Sequence, residues 1–211
     1  MKEASIPEPK EEILDRSSQM FERCGFRAVT MDDVSQECRM SKKTLYQFFK
    51  NKSDLVEQSV KRVFKKKTEE MLSIEKAYDN AIDAAIAQNV ALNKTLEGHI
   101  PSMMFALRKY YSRTYEWLVK VREDVAMDMM KDNLERGVEQ GLYRQDLHIE
   151  HASTLRFLQV ISLMEMQSLS QSALEREKLL KESLDLYMRS ITTPQGMTYF
   201  RDQFQSQFSQ S

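Results

Sequence analysis

Residues 30–49 constrain the fold more than any other stretch, because they combine two helix starts with a short corner. The stretch reads TMDDVSQECRMSKKTLYQFF. Thr30 and Asp33 form a capping-box pattern, and Ser41 is a favourable N-cap for a second short helix. Helices this short are unstable alone in water, so both must pack against neighbouring structure. The stretch therefore predicts two helices joined at a corner, residues 39–40, inside a larger helical domain.

The rest of the chain is predicted to be helical as well. Only 5 Gly and 4 Pro occur in 211 residues, so few positions interrupt a helix. We expect an all-α protein, with Gly25 at positive φ where the first helix ends. Apolar periodicity predicts helices over about 10–24, 31–38, 41–50, from 51 through the basic stretch 61–67, 73–95, 106–139, 149–169 and 173–191.

The helix after the corner begins with polar and basic side chains of types that can contact DNA bases. Lys pairs with guanine, Gln with adenine, and the Thr methyl packs on thymine. Leu45 and Phe49 are its predicted apolar anchors. The candidate DNA-binding residues on this helix are Ser41, Lys42, Lys43, Thr44 and Gln47. Tyr46, Thr30 and Lys52 are better placed for phosphate contacts, which position a protein without reading sequence.

Charge is distributed unevenly along a chain whose net charge is only −1. The segment 39–67 contains ten Lys or Arg residues against Asp54 and Glu57. Basic residues focused on one face attract nucleic-acid phosphates even when the whole protein is nearly neutral. The alternative is a three-helix bundle whose basic face is simply solvated.

Residues 13–55, ILDRSSQMFERCGFRAVTMDDVSQECRMSKKTLYQFFKNKSDL, resemble the N-terminal DNA-binding domain of the TetR family of bacterial transcriptional regulators. The resemblance implies a helix-turn-helix in which Thr44, Tyr46 and Lys52 touch DNA. Two positions depart from the family pattern. Arg39 stands where the family usually has Gly, which implies strain at the corner, and Lys43 replaces a common Gly or Ala.

The same resemblance implies the organisation of the whole chain. We expect a helix-turn-helix DNA-binding domain over 1–56, a helical effector-binding and dimerisation domain over 57–192, and a tail over 193–211 without predicted structure. The implied function is a ligand-responsive dimeric repressor that reads an inverted-repeat operator in double-stranded DNA. The alternative is a helical sensor of a small molecule or partner that does not read promoter DNA.

Two sets of residues are candidates for the implied C-terminal functions. Met and aromatic side chains suit an adaptable pocket for a small apolar or amphipathic effector, although such residues are more often core. The pocket candidates are His99, Met103, Phe105, Tyr110, Tyr115, Trp117 and Met127. The homodimer candidates, on the last two predicted helices, are Leu155, Leu158, Ile161, Leu184 and Met188.

Several function classes are not expected. The sequence has no nucleophile elbow, phosphate-binding glycine loop or metal-hydrolase motif, so we predict no enzyme and no cofactor. Cys24 and Cys38 are expected to be buried thiols, and His148 and His151 a helix cap and a surface residue rather than metal ligands. No apolar run is long enough to cross a membrane and no signal peptide is evident, so a cytoplasmic protein is expected.

Overall fold

The computed structural model describes residues 9–96, 100–165 and 173–208. These residues confirm the all-α prediction. None of the helices described is long and apolar enough to span a bilayer. The helices are α1 Pro9–Ala28, α2 Met31–Glu37, α3 Lys42–Phe48, α4 Lys52–Ala77, α5 Ala81–Leu96, α6 Ile100–Tyr110, α7 Ser112–Glu139, α8 Ile149–Glu165, α9 Ala173–Ile191 and α10 Pro194–Phe208.

The chain divides into two compact units. The described residues of Met1–Lys67 and Ser102–Lys120 form unit 1, and those of Thr68–Pro101 and Val121–Ser211 form unit 2. Unit 1 therefore combines the helix-turn-helix segment with most of α6 and the start of α7. The predicted boundaries at 56–57 and 192–193 separate segments by function and not by compactness. They stay predictions.

The core of unit 1 begins with the apolar stripe of α1. Gly25 adopts φ 78° and ψ 156°, which ends the regular part of α1 as predicted. This turn lets Phe26 pack on Phe21, with 5.1 Å between the ring centres. Burying one such side chain contributes about 1.5–3 kcal/mol. The buried set is Ile13, Leu14, Met20, Phe21, Phe26, Val29, Met31, Val34, Leu45, Phe49, Leu55, Val56, Val60 and Leu107.

Several helix boundaries differ from the predictions, among them the start of α6, which lies at Ile100 and not near 106. The predicted helix 73–95 is wrong at its start, because α4 continues to Ala77 and α5 begins at Ala81. The cap at Asn80, whose Oδ1 accepts from the backbone N–H of Ile82 at 2.8 Å, sets the new start. The predicted uninterrupted helix 106–139 is interrupted at Tyr111, between α6 and α7.

The interruption at Tyr111 is a kink rather than a loop. The Tyr111 N–H still donates to the Leu107 carbonyl at 2.8 Å, and the Tyr115 N–H donates to the Tyr111 carbonyl at 3.0 Å. The Tyr111 ring meets Phe26 edge-on, with 5.9 Å between centres. Packing of this ring against the unit 1 core outweighs the weak local preference for a straight helix.

Unit 2 contains a helix in the segment that the sequence leaves as an unstructured tail. Thr193 caps α10, since its Oγ1 accepts from the Gly196 N–H at 3.1 Å. Phe200 is fully buried in the unit 2 core. The Tyr199 hydroxyl donates to Asp83 on α5 at 2.7 Å. The other core residues are Ala81, Ile82, Ile86, Leu134, Leu142, Tyr143, Leu184, Met188 and Ile191.

The cysteines are less buried than expected. Cys24 is exposed, so the prediction of a buried thiol is wrong there, because it lies on the outer face of α1. Cys38 is half-buried, and burial raises the pKa of its thiol. Neither forms a disulfide.

A methyl group at Gly137 would overlap the buried ring of Tyr143. We expect Gly137→Ala to lower the free energy of unfolding by about 1–3 kcal/mol, because the buried ring has little room to move. Chemical denaturation followed by circular dichroism measures this change.

The matched control is Glu139→Ala, at an exposed position of the same helix. It should change the free energy of unfolding by no more than about 0.5 kcal/mol. Equal stability of the Gly137→Ala variant and the wild type would contradict the close packing of Tyr143 on α7.

Candidate nucleic-acid interface

The start of α2 is held by a capping box at Thr30. The Thr30 Oγ1 accepts from the Asp33 N–H at 3.2 Å, and Asp33 Oδ2 accepts from the Thr30 N–H at 2.7 Å. The Thr30 hydroxyl also donates to the Asp33 carboxylate, and this bond is the largest reason why the pKa of Asp33 lies below its ordinary value. The predicted cap is confirmed, and it gives α2 a defined first turn.

The corner between α2 and α3 is formed by backbone hydrogen bonds and one left-handed residue. Arg39 has φ 52°, in the region that favours glycine. The Arg39 N–H donates to the Gln36 carbonyl at 3.0 Å, and the Met40 N–H donates to the Ser35 carbonyl at 2.9 Å. The strain expected at Arg39 is therefore present in the backbone.

The N-terminus of α3 is capped by Ser41, as predicted. Its Oγ accepts from the Thr44 N–H at 3.1 Å and lies 2.8 Å from the Thr44 hydroxyl. The hydroxyl groups of Ser41 and Thr44 are thus engaged in the N-cap of α3. Leu45 and Phe49 are buried at 0% and 1% exposure, which anchors one side of α3 in the core of unit 1.

The opposite side of α3 is an exposed polar stripe. Lys42, Lys43, Tyr46 and Gln47 are all exposed and lie at three- and four-residue spacing. Lys42 forms an ion pair with Asp32 on α2. Lys43 and Gln47 form no ion pair or side-chain hydrogen bond with any described residue. Three side chains of this stripe are of types that can contact base edges. Lys42 is held by its ion pair, whereas Lys43 and Gln47 are not held by other side chains in the described part of the chain.

Lys52, at the start of α4, has a different environment. Its Nζ donates to the Arg27 carbonyl at 3.1 Å, and the side chain is half-buried. Burial lowers the pKa of Lys52, while the charge of Asp33 opposes this shift. Thr30 and Lys52 thus lie on the same side of unit 1, where the end of α1 meets the starts of α2 and α4.

The basic segment 39–67 is divided into two parts by its ion pairs. Arg62 makes two hydrogen bonds to the Asp15 carboxylate, at 2.7 and 3.0 Å, and pairs with Glu11 at 3.0 Å. Lys66 also pairs with Asp15, and Lys61 pairs with Glu57, each at 2.6 Å. These acids offset much of the positive charge of α4. The cations near the corner are more available to a partner.

The residues predicted to line an effector pocket do not form one group. Met103, Tyr115 and Trp117 pack against the core of unit 1. Phe105 and Tyr110 are 56% and 43% exposed on the surface of the same unit. Met127 is half-buried in unit 2, and His99 lies outside the described residues.

The predicted dimer-interface residues also separate into two groups. Leu184 and Met188 are 1% and 0% exposed within the core of unit 2, so they have no surface left for a second chain. Their assignment to an interface is corrected to the core, because α9 uses this face to pack within its own chain. Leu155 and Leu158 are 68% and 54% exposed, and Ile161 is half-buried.

The two histidines at the start of α8 act locally. The His148 Nδ1 accepts from the His151 N–H at 3.4 Å, and the rings stack with 3.7 Å between centres. This confirms a cap and a surface residue. No cluster of three or more His, Cys, Asp or Glu suited to a metal occurs in the part of the chain that the structure describes.

Comparison with known proteins identifies the N-terminal segment. Residues 13–58 match the family model described as bacterial regulatory proteins, tetR family. The N-terminal segment is therefore a DNA-binding domain of the TetR type. The expectation of a DNA-binding transcriptional regulator is thereby confirmed, and the structure adds how the TetR-type corner is built from these residues.

Individual relatives of this chain agree with the match of its N-terminal segment. It is 24% identical over 135 residues to the uncharacterized HTH-type transcriptional regulator YhgD of Bacillus subtilis, covering 63% of this chain and 70% of that one. It is 34% identical over 55 residues to IcaR, the HTH-type negative transcriptional regulator of the biofilm operon icaADBC in Staphylococcus aureus. That match covers 26% of this chain and 30% of IcaR.

The fold likeness extends over nearly the whole chain. The crystal structure of reduced NemR from E. coli has a TM-score of 0.73 at 14% identity, covering 89% of this chain and 99% of NemR. At 14% identity, this structural similarity shows a shared fold alone. The predicted combination of an N-terminal helix-turn-helix with a C-terminal helical domain is confirmed.

The left-handed backbone at Arg39 yields a stability prediction. A non-glycine residue in the left-handed region destabilises the folded state by about 1–2 kcal/mol. Glycine removes this strain, but it also increases the conformational entropy of the unfolded chain, which offsets part of the gain in stability. We expect Arg39→Gly to raise the free energy of unfolding by about 0.5–1 kcal/mol, measured by urea denaturation. Arg23→Gly, within the regular part of α1, is the control and should lower it by about 1 kcal/mol. Destabilisation by both variants would contradict a strained corner.

The Asp15 carboxylate yields a prediction of pH dependence. Its hydrogen bond with Arg62 is the main reason why the pKa of Asp15 falls from 3.8 to about 2. The stabilisation is therefore complete above pH 4 and is lost as the pH falls toward 2. We expect Asp15→Asn to lower the free energy of unfolding by about 1 kcal/mol at pH 7, a value that allows for the partial exposure of the pair. The decrease should be smaller at pH 3.

The control for Asp15→Asn is Glu12→Gln, which removes an exposed pair with Arg16 on the same helix. Its effect should stay within about 0.5 kcal/mol at every pH. Denaturation curves between pH 7 and pH 3 test both variants. A cost of Asp15→Asn that is as large at pH 3 as at pH 7 would contradict the assignment of the low pKa.

Proposed function

We propose that this chain is a ligand-responsive dimeric repressor that inserts α3 into the major groove of an inverted-repeat operator. The observation that carries the proposal is the two-sided character of α3. Leu45 and Phe49 fix one side, and Lys43 and Gln47 stand exposed on the other, without partners among the described residues. A helix-turn-helix places its second helix in the groove in this orientation. Such a protein acts in the cytoplasm, where bacterial DNA is located.

The eight candidate residues have different proposed roles. Lys43 and Gln47 read base edges, because they are free to form new hydrogen bonds. Lys42 approaches the bases from a position set by its ion pair with Asp32. Residues at the margins of the helix hold the DNA backbone and so fix the register. These backbone-binding residues are Thr30, Ser41, Thr44, Tyr46 and Lys52.

The proposed homodimer uses exposed leucines on α8 and α9. Leu155, Leu158 and Leu186 are 68%, 54% and 60% exposed. Large apolar side chains exposed on neighbouring helices are typical of protein interfaces. A two-fold dimer would carry two α3 helices, one for each half of an inverted repeat.

The proposed effector is a small apolar or amphipathic molecule that favours one arrangement of the helices around it. The response would reach the DNA-binding side through α4, whose Val56 and Val60 are buried in the unit 1 core and whose Val63 is exposed. A tenfold change in operator occupancy requires about 1.4 kcal/mol of differential effector affinity.

The proposal is tested by selecting bound sequences from a random duplex DNA pool at near-physiological salt. We expect enrichment of an inverted repeat whose half-sites lie about 10 base pairs, or a multiple, apart. Failure to enrich any sequence, with only weak salt-sensitive binding, would contradict the proposal and favour a helical sensor that does not read promoter DNA.

The selected repeat then tests the two reading residues. Gln47→Ala and Lys43→Ala should each weaken binding by about 1–3 kcal/mol and relax base preference at one position per half-site. Gln19→Ala, which removes an exposed amide from α1, is the control and should leave affinity and preference unchanged. Unaltered selectivity in both α3 variants would exclude this face of α3 as the reading surface.

A further inference from the structure

A second cluster of cations lies in unit 1, outside the helix-turn-helix. The Arg27 guanidinium donates to the Tyr110 hydroxyl at 3.4 Å, with its carbon 5.5 Å from the centre of the Tyr110 ring. Lys109 Nζ lies 5.3 Å from the same ring centre and 5.8 Å from that of Phe105. Aromatic rings thus hold two cations from α1 and α6 around one exposed tyrosine.

The charges of this cluster are not offset. Arg27, Arg108 and Lys109 are exposed, and none of them pairs with a carboxylate among the described residues. By contrast, Arg62 and Lys66 on α4 share the carboxylate of Asp15. Unit 1 therefore neutralises Arg62 and Lys66 on α4 and leaves the cations around Tyr110 available.

The electrostatic environment of Tyr110 agrees with this description. Its pKa is lowered, first by the hydrogen bond with Lys109 and then by the charges of Lys109 and Arg27. A phenol with a lowered pKa next to two cations marks a site of positive potential, which favours a negatively charged group. The Lys109 ammonium also lies near the exposed Phe105 ring, 5.8 Å from its centre.

The cluster is continuous with the proposed DNA interface. Lys52, a proposed phosphate contact, donates from Nζ to the Arg27 carbonyl at 3.1 Å. Arg27 also precedes Thr30, the cap of α2, by three residues. A duplex carries one phosphate for about every 1.7 Å of its axis, so cations bordering a docked helix-turn-helix meet further phosphates.

We propose that Arg27 and Lys109, which lie against the Tyr110 ring, form with the adjacent Arg108 of α6 a second DNA-backbone contact that binds phosphates flanking the base pairs read by α3. This inference rests on the proposed function. Guanidinium groups match phosphate oxygens in two-point hydrogen bonds, and an aromatic ring pre-orients the guanidinium of Arg27. This contact would increase the affinity for DNA of any sequence, because it involves only phosphates. It requires DNA that extends beyond the half-site, since the phosphates it binds lie there.

The test compares duplexes of two lengths that carry the selected repeat. The short duplex ends at the edge of the repeat, and the long one extends about 10 base pairs, one helical turn, on each side. The main variant is Arg108→Ala with Lys109→Ala. The control is Lys94→Ala with Arg201→Ala, which removes equal charge from exposed positions of unit 2. Arg27→Gln is a second variant that leaves α6 unchanged.

We expect wild type and control to bind the long duplex more tightly than the short one. The α6 variant should lose about tenfold or more in affinity on the long duplex and under about twofold on the short one. Its slope of log affinity against log salt should fall by about 0.9 for every phosphate that the variant no longer neutralises. Arg27→Gln should show the same dependence on duplex length.

Two results would overturn the inference while leaving the proposed function intact. One is an α6 variant with the affinity and salt slope of the control on the long duplex. The other is an equal loss of affinity on both duplexes with an unchanged salt slope, which indicates an indirect effect on folding. If the wild-type protein enriches no sequence at all, the proposed function fails, and this inference fails with it.

Discussion

The burial of Leu45 and Phe49 is the interaction on which the rest of the DNA-binding side depends. A helix of 7 residues such as α3 does not hold its shape alone, because helix nucleation costs more than one or two turns of hydrogen bonds contribute. These two side chains offset that cost by packing into the core that α1, α2 and α4 share. Their position sets the rotation of α3, and the rotation decides that Lys43 and Gln47 face outward. The corner residue Arg39 adopts a strained backbone to satisfy the same packing.

Electrostatics then divides the surface of unit 1 into neutralised and available regions. Glu11, Asp15 and Glu57 lie where α1 and α4 bring them to Arg62, Lys66 and Lys61. Among the described residues, the cations of the corner and of the Tyr110 cluster lack such partners, apart from Lys42. Because phosphate binding depends on cations that are free to exchange their counterions, this division matters more than the number of lysines in the sequence. A basic run in a sequence is therefore weaker evidence for a DNA-binding surface than the location of its acidic partners.

Much of the candidate site could be predicted because its determinants are local. The caps at Thr30 and Ser41 involve residues three positions apart, and the left-handed corner at Arg39 follows from the tight turn between two capped helices. The contacts of Lys52 with Arg27, and of Arg27 with Tyr110, join positions 25 and 83 residues apart. No periodicity in the sequence records such pairs. The sequence accordingly suggests a pocket role for Tyr110, whereas this residue lies on the surface of unit 1 beside α1.

The sequence by itself determined the helical class, the positions of the caps and the turn at Gly25, because these depend on interactions within a few residues. Thr193-Pro194 followed by Met197, Phe200 and Phe204 also carries a local signal for α10, namely a cap, a proline in the first turn and an apolar stripe. That signal is obscured by the many Gln and Ser residues around it. Only the tertiary structure decided what covers each apolar face. It placed Leu184 and Met188 in the core, left Leu155 and Leu158 exposed, and kinked the chain at Tyr111. The physical reason is that a periodic stripe shows that a helix has an apolar side, while the partner of that side is set by residues distant in sequence.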